Sequence, residues 1–354
     1  MAARALDESE IPFTIYNIEP GREVSQNDKS AQGFISDNLP YNTNIFCTTG
    51  IETARLAALY GSKLFDGRRS IGYWPWELPE FPLCWRHAYH LVDEIWASSR
   101  FTFEAFARSF NKPVRHMPMA VTVDSTEKLS RPDFGLPKDR FLFVCSFDFL
   151  SSLTRKNPQA CVDAFRIAFP IGDEPVGLVI KAMRANNDNP VWQKILSVAE
   201  TDDRIVIIDK TFERGALLDL YRACDCYVSL HRSEGFGRGM AEAMLLGKPV
   251  IATGYSGNLD FTVAGSSALV DWRPRSVSES DYPFGAGSSW AEPCVHHAAS
   301  WMTRMSTDRR LRDRLAISGR MIVAAAHSPG IVGANYLLSL SPNPDRQIPA
   351  ADIG

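Results

Sequence analysis

His231-Arg232-Ser233-Glu234-Gly235-Phe236-Gly237-Arg238-Gly239 follows the apolar run Cys226–Leu230 and leads into the helical pattern Met240–Leu246. The order is strand, glycine-rich turn, helix. Three glycines in five residues let the backbone approach a ligand closely, and the helix turns unpaired N–H groups and a partial positive end back on the loop. At the carboxyl end of a parallel strand this suits a diphosphate, although a tight turn without ligand uses glycine in the same way. Glu234 stands in the loop and Glu242 eight residues on, in the helix, so two carboxylates can face one cleft from different depths. Repulsion and desolvation make such a pair poor core filling. A plain surface residue near a helix N-terminus is the alternative for Glu242.

Around this loop, short β-branched or aromatic runs alternate with helical patterns, the signature of crossover units and parallel sheets. The runs predict strands at Phe13–Ile18, Asn44–Cys47, Arg69–Tyr73, Glu94–Ala97, Phe141–Phe147, Gly177–Lys181, Ile205–Asp209, Cys226–Leu230, Pro249–Thr253 and Ala268–Val270. Helices are expected at Glu52–Leu59, Arg100–Phe110, Pro158–Phe169, Val191–Glu200, Arg214–Ala223, Arg238–Leu246 and Ser289–Met305. The class is α/β. Pro118, Pro132 and Pro137 punctuate a stretch without sustained apolar period, so two Rossmann-like domains facing a cleft are expected, at residues 1–120 and 121–325. Residues 326–354 read as a C-terminal helix and tail, with the helices up to Leu340 covering the second sheet and Pro342, Pro344 and Pro349 marking the tail.

The formal net charge of −3 argues against a generally basic nucleic-acid binder and leaves small molecules as the expected partners. Residues Met1 to Glu10 carry four charges in place of a signal-peptide core, and no uninterrupted apolar run approaches the ~18 residues of a membrane span. A cytoplasmic location is the expectation. Seven scattered cysteines read as free thiols. Cys84, His87 and His90 come nearest to a metal pattern but lack a fourth ligand, and no two aspartates stand two apart. A mechanism without metal or cofactor is therefore expected.

Glu234-Gly235-Phe236-Gly237, with Glu242-Ala243-Met244 and Gly247-Lys248-Pro249-Val250-Ile251-Ala252-Thr253, resembles the donor motif of glycosyltransferase family 4, whose fold is GT-B. The resemblance implies a retaining hexosyltransferase using a GDP-, UDP- or ADP-sugar. Glu234 would contact the transferred sugar as the catalytic residue, Glu242 the ribose, and the amides of Gly235, Phe236 and Gly237 the phosphates. Lys156, with Arg155 as alternative, would meet the diphosphate, a solvated basic pair being the competing reading. Asp148 stands where the family often has an arginine. Thr211 and Phe212 fall where the family binds the base, and Ser256, Gly257 and Asn258 where it brings small polar groups near sugar and phosphate.

Met117-Pro118-Met119-Ala120-Val121-Thr122-Val123-Asp124 resembles the family's connection between acceptor and donor domains, so the resemblance runs from about Ile71 to Leu340. Ala5–Glu8 resembles the end of a first helix and Phe13–Ile18 a second strand, which implies a shortened N-terminal domain lacking its opening strand. Trp74, Trp76 and Glu77 occupy the acceptor-side region where many members carry a histidine. A tryptophan face can serve as a sugar platform, but these aromatics equally suit a domain-interface core or a membrane-touching surface. A saccharide or lipid-linked saccharide acceptor, surface-polysaccharide assembly and peripheral association at the inner membrane face follow as expectations. A non-catalytic nucleotide-sugar-binding remnant or scaffold is the alternative.

Overall fold

The computed structural model describes residues 1–18, 30–124 and 128–341. After helix α1 (Ala2–Glu8), strand β1 (Thr43–Phe46), helix α2 (Gly50–Tyr60), β2 (Arg69–Gly72), β3 (Glu94–Ala97), α3 (Arg100–Ala107) and β4 (Val114–His116) form the first half, with all four strands parallel in the order β1-β2-β3-β4. Local chemistry sets the helix starts. Thr49 accepts the Glu52 N–H at the head of α2, and Ser99 and Thr102 form a reciprocal capping box at α3.

The second half runs through β5 (Phe141–Asp148), α4 (Leu153–Lys156), α5 (Pro158–Ala168), β6 (Val176–Met183), α6 (Pro190–Thr201), β7 (Ile205–Asp209) and α7 (Arg214–Ala223). It continues with β8 (Cys226–Ser229), α8 (Arg238–Leu245), β9 (Val250–Thr253) and β10 (Ala268–Val270). These six strands are parallel in the order β10-β9-β8-β5-β6-β7, so the strand order reverses between β5 and β8. Apolar clusters cover both faces, which is why β5, β6, β8 and β9 read as continuous apolar runs. In doubly wound sheets the reversal point opens a crevice at the carboxyl ends of the strands.

Several expectations need correction. Phe13–Ile18 is not a strand: only Ile15 bridges, to Ile35, and a β-prone run without a neighbouring strand has no ladder to join. Ser289–Met305 does not start as helix. Ser289–Pro293 is strand β12, antiparallel to β11 (Trp272–Ser276), because Pro293 pushes the residue before it into the extended region. Helix α9 (Val295–Thr307) begins beyond it, followed by α10 (Arg309–His327) and α11 (Pro329–Leu340). Arg309–Leu340 holds a window of mean hydropathy 1.3, enough by composition to cross a membrane, but two helices divided at Ser328 make it up.

Nor do all the C-terminal helices cover the second sheet. α9 packs on α5 and α10 on α8, whereas α11 returns to the first half and lies against α1. Val332 and Tyr336, both fully buried, meet Ile71, Tyr73 and Trp96 there, and the Arg69 guanidinium donates to the Ser339 carbonyl at 3.0 Å. The chain thus passes between the halves twice. His327, closing α10, ties the two passages together, its carbonyl accepting from Val121 N–H at 2.8 Å and its Nδ1 lying 3.1 Å from the Met119 carbonyl. The proline tail from Pro342 lies outside the described residues.

Candidate donor site

The glycine-rich loop leaves β8 beside the strand reversal and is sewn down at each step. His231 is fully buried, with Nδ1 2.9 Å from Ser229 Oγ and Nε2 3.0 Å from Asn258 Oδ1, and burial lowers its pKa and keeps it neutral. Arg232 forks onto Glu292 of β12 at 2.8 and 3.0 Å. Glu234 N–H donates to Ser256 Oγ at 2.8 Å, and Gly257 N–H to the Glu234 carbonyl at 2.9 Å. A methyl group on Gly257 would stand 2.1 Å from the Gly235 carbonyl oxygen, so only glycine fits that crossing.

The side chain of Glu234 is the centre of a buried charge cluster. Lys156, the last residue of α4, donates to Oε1 at 2.5 Å, and Arg155 Nη1 lies 3.3 Å from Oε2 while donating to the Ser233 carbonyl at 2.9 Å. Burial works to raise the Glu234 pKa, but Lys156 and then Arg155 outweigh it and hold the carboxyl at about 2. Burial likewise presses the Lys156 ammonium below its ordinary value against the pull of Glu234. Arg155 loses by burial and gains more from Glu77 and Glu234, so its pKa rises. Glu77 comes from the first half. Its Oε1 lies 3.7 Å from Arg155 Nη2, its Oε2 accepts from Tyr282 hydroxyl, and its carbonyl accepts from Ser233 hydroxyl.

Glu242 is likewise buried and paired with arginine. Arg214, at the start of α7, donates to its Oε1 at 2.8 Å and to the Thr122 carbonyl at 2.6 Å, with Arg238 Nε 3.8 Å away. Between the two glutamates, the amides of Gly235, Phe236, Gly237, Arg238 and Gly239 donate to no acceptor among the described residues. Gly237 takes φ +95° at the head of α8, the left-handed backbone that starts the helix there. Unpartnered amides at a helix N-terminus, following directly on the glutamate that Lys156 holds, form an anion cradle.

Other residues sit differently from expectation. Trp74 and Trp76 are 1% and 2% exposed, stacked or edged against Phe81, and their indole nitrogens donate to Thr53 Oγ1 and the Glu80 carbonyl. They belong to an aromatic core that Val277, Tyr282 and Trp290 of the second half join, the domain-interface alternative, and offer no open sugar platform. The Phe236 ring is core as well, against Phe261 and His327. Asn258 donates to the Thr253 carbonyl and Thr262 Oγ1, so it braces the loop together with Ser256 and Gly257 instead of lining free space. Thr211 is exposed, and Phe212 packs on Phe134 at 5.7 Å. The Cys84 and His87 pair meets through the Cys84 carbonyl, 2.8 Å from Nδ1, in a 3-10 helix.

The loop also seals against the first half. A methyl group on Gly235 would stand 2.6 Å from the Trp76 carbonyl oxygen, and Ser99 Oγ, the cap of α3, donates to the Gly235 carbonyl at 2.6 Å. Two large cavities lie elsewhere, one of about 630 Å³ beside β1 and one of about 760 Å³ beside Asp163 and Asp202. Ser99, Arg214 and Tyr282 belong to no motif, because their partners come from distant parts of the chain.

Residues 193–271, which contain the loop, α8 and β9, match the family described as glycosyl transferases group 1. No curated protein matches the chain by sequence. Among solved structures, HepE from Anabaena in complex with UDP and glucose is similar at 17% identity and TM-score 0.63, over 85% of this chain and 78% of HepE. Sucrose-phosphate synthase from Thermosynechococcus elongatus is similar at 14% identity and TM-score 0.62, over 88% and 75% of the two chains. A TarM mutant from S. aureus in complex with fondaparinux, alpha-GlcNAc-glycerol and UDP is similar at 9% identity and TM-score 0.60, over 82% of this chain. The chain spans 54% of that TarM chain. These likenesses show the GT-B fold.

Proposed function

We propose that the chain is a retaining glycosyltransferase that moves a hexose from a nucleoside-diphosphate sugar to a saccharide or lipid-linked acceptor. The observation that carries this reading is the anion cradle at 235–239, whose five amides donate to no described residue, flanked by the Glu234 carboxylate with Lys156 on it and by that of Glu242. The family match over the loop and the UDP bound in HepE and TarM support it.

In this reading the bond from the anomeric carbon to the diphosphate breaks while the acceptor oxygen bonds to that carbon on the same face. The acceptor proton passes to the leaving phosphate. The departing charge is met by the amides at 235–239 and by Lys156, donors already in place before it develops. Lys156 then exchanges Glu234 for phosphate, and Glu234 is left to orient sugar hydroxyls, unlike the paired carboxylates of glycosidases. Glu242 serves the ribose diol once Arg214 shares it. Donor entry requires Trp76 and Glu77 to part from the loop they now seal. The sequence carries no aspartate pair two apart, and the chain's own cations suffice for the charge, so the reaction is read as metal-independent. A role in surface-polysaccharide assembly, at the inner membrane face, belongs to the same reading.

The self-paired carboxylates and sealed loop favour a second reading, a non-catalytic nucleotide-sugar binder. Incubation with UDP-, GDP- and ADP-sugars, with and without a lipid-linked saccharide, separates the two. Transfer that Glu234→Ala abolishes supports the enzyme. Binding without turnover supports the second reading, and turnover unchanged in Glu234→Ala overturns the site.

A further inference from the structure

Lys181, near the carboxyl end of β6, is 4% exposed, yet its ammonium makes no hydrogen bond or ion pair with any described residue. It lies 5.7 Å from the centre of the Phe212 ring, in the loop between β7 and α7. Burial pulls its pKa down to about 8, and Asp209 on β7 resists this only in part. A desolvated donor without an acceptor is costly, and a cation over an aromatic ring recovers only ~1–2 kcal/mol of it. No role in the charge cluster around Glu234 uses this group.

Its position continues the donor site in one direction. The anion cradle sits at the head of α8, Glu242 lies further along that helix, and the arginine that holds Glu242 is Arg214, two residues after Phe212. On the other side, Lys181 is in register with Ser146 of β5, whose hydroxyl meets those of Tyr221 and Tyr227. The Tyr221 phenol lies close enough to Glu242 to feel its charge, so this hydroxyl cluster borders the same side of the site. A nucleotide with its diphosphate on the cradle and its ribose diol at Glu242 would have its base directed towards the Phe212 loop that leads into Arg214, where Lys181 stands.

We propose that Lys181 selects the base of the bound nucleotide, donating to a ring carbonyl of uracil or guanine and disfavouring adenine, whose exocyclic amino group is itself a donor. The inference rests on the nucleotide-sugar reading. An ammonium has donors and no acceptor, so it distinguishes a carbonyl from an amino group at the ring edge. Both keto bases share this chemistry, and the nucleotide arms of the test separate them.

Calorimetric titration of UDP, GDP, ADP and inorganic pyrophosphate into the wild-type chain and Lys181→Met tests it. The wild type is expected to bind UDP or GDP at least about ten-fold more tightly than ADP. Lys181→Met is expected to weaken that nucleotide about ten-fold while leaving ADP and pyrophosphate within about two-fold, and Lys181→Arg to keep the preference. Removing a desolvated ammonium should not cost stability, and if the Met variant fails to fold, the wild-type ranking still decides. A wild type that prefers ADP, or a Lys181→Met that keeps the keto-base preference, overturns the assignment while the nucleotide-sugar reading stands. Failure of all four ligands to bind overturns that reading, and this inference with it.

Discussion

Replacing Glu234 with glutamine keeps the shape of the loop but leaves Lys156 and Arg155 facing a neutral amide. The difference between an ordinary glutamate at 4.5 and Glu234 at about 2 corresponds to roughly 3.5 kcal/mol, at about 1.4 kcal/mol per tenfold change in proton affinity. This agrees with the ~3–5 kcal/mol typical of breaking a buried pair from one side. Because the folded-state value lies below the unfolded one, the contribution is fully present above pH 4.5 and is lost as pH falls towards 2. At pH 3.5 roughly 2 kcal/mol should remain. Urea unfolding of wild type and Glu234→Gln, followed by circular dichroism at pH 7 and pH 3.5, reads both numbers. A gap below ~1 kcal/mol at pH 7, or one that does not shrink in acid, would refute the account of the cluster.

Lys156→Met should weaken UDP, GDP and pyrophosphate alike by tenfold or more in calorimetry, since its proposed partner is the diphosphate; unchanged affinity would return Lys156 to a purely structural ion pair. Gly235→Ala places its methyl 2.6 Å from the Trp76 carbonyl oxygen, a backbone atom that cannot swing aside, so ~1–3 kcal/mol of stability should be lost. A Gly235→Ala melting curve superimposable on wild type would mean the two halves do not press together there. Tyr336→Ala removes a fully buried ring from the face of the first sheet, at ~3–5 kcal/mol. Hydrogen exchange should show the gain in opening in β2 and β3, and protection lost in the second sheet alone would contradict the packing of α11.

The parallel strands of the second half are legible because burial on both faces writes them as unbroken apolar runs, and the loop is legible because strand, glycines and helix are adjacent in the chain. What depends on distant pairing is not. β11 presents largely exposed residues, including Pro274, and only its pairing with β12 makes it a strand. The sequence of Trp74 and Trp76 suits a binding platform and a core equally, since either buries the same rings. Lys156 and Glu234 are 78 residues apart, and Arg214 and Glu242 are 28 apart, so no local pattern signals either pair. An apolar face on α11 shows that the helix packs, but not which sheet it reaches.

That last helix has a consequence for synthesis. The face of the first sheet bearing Ile71, Tyr73 and Trp96 is completed by Val332 and Tyr336, more than 230 residues downstream of Trp96. As the chain emerges from the ribosome, those side chains stay uncovered while the whole second half is made and folds. The half translated first is therefore finished last, and the interval in which it waits is when a chaperone, or an unwanted neighbour, would find it.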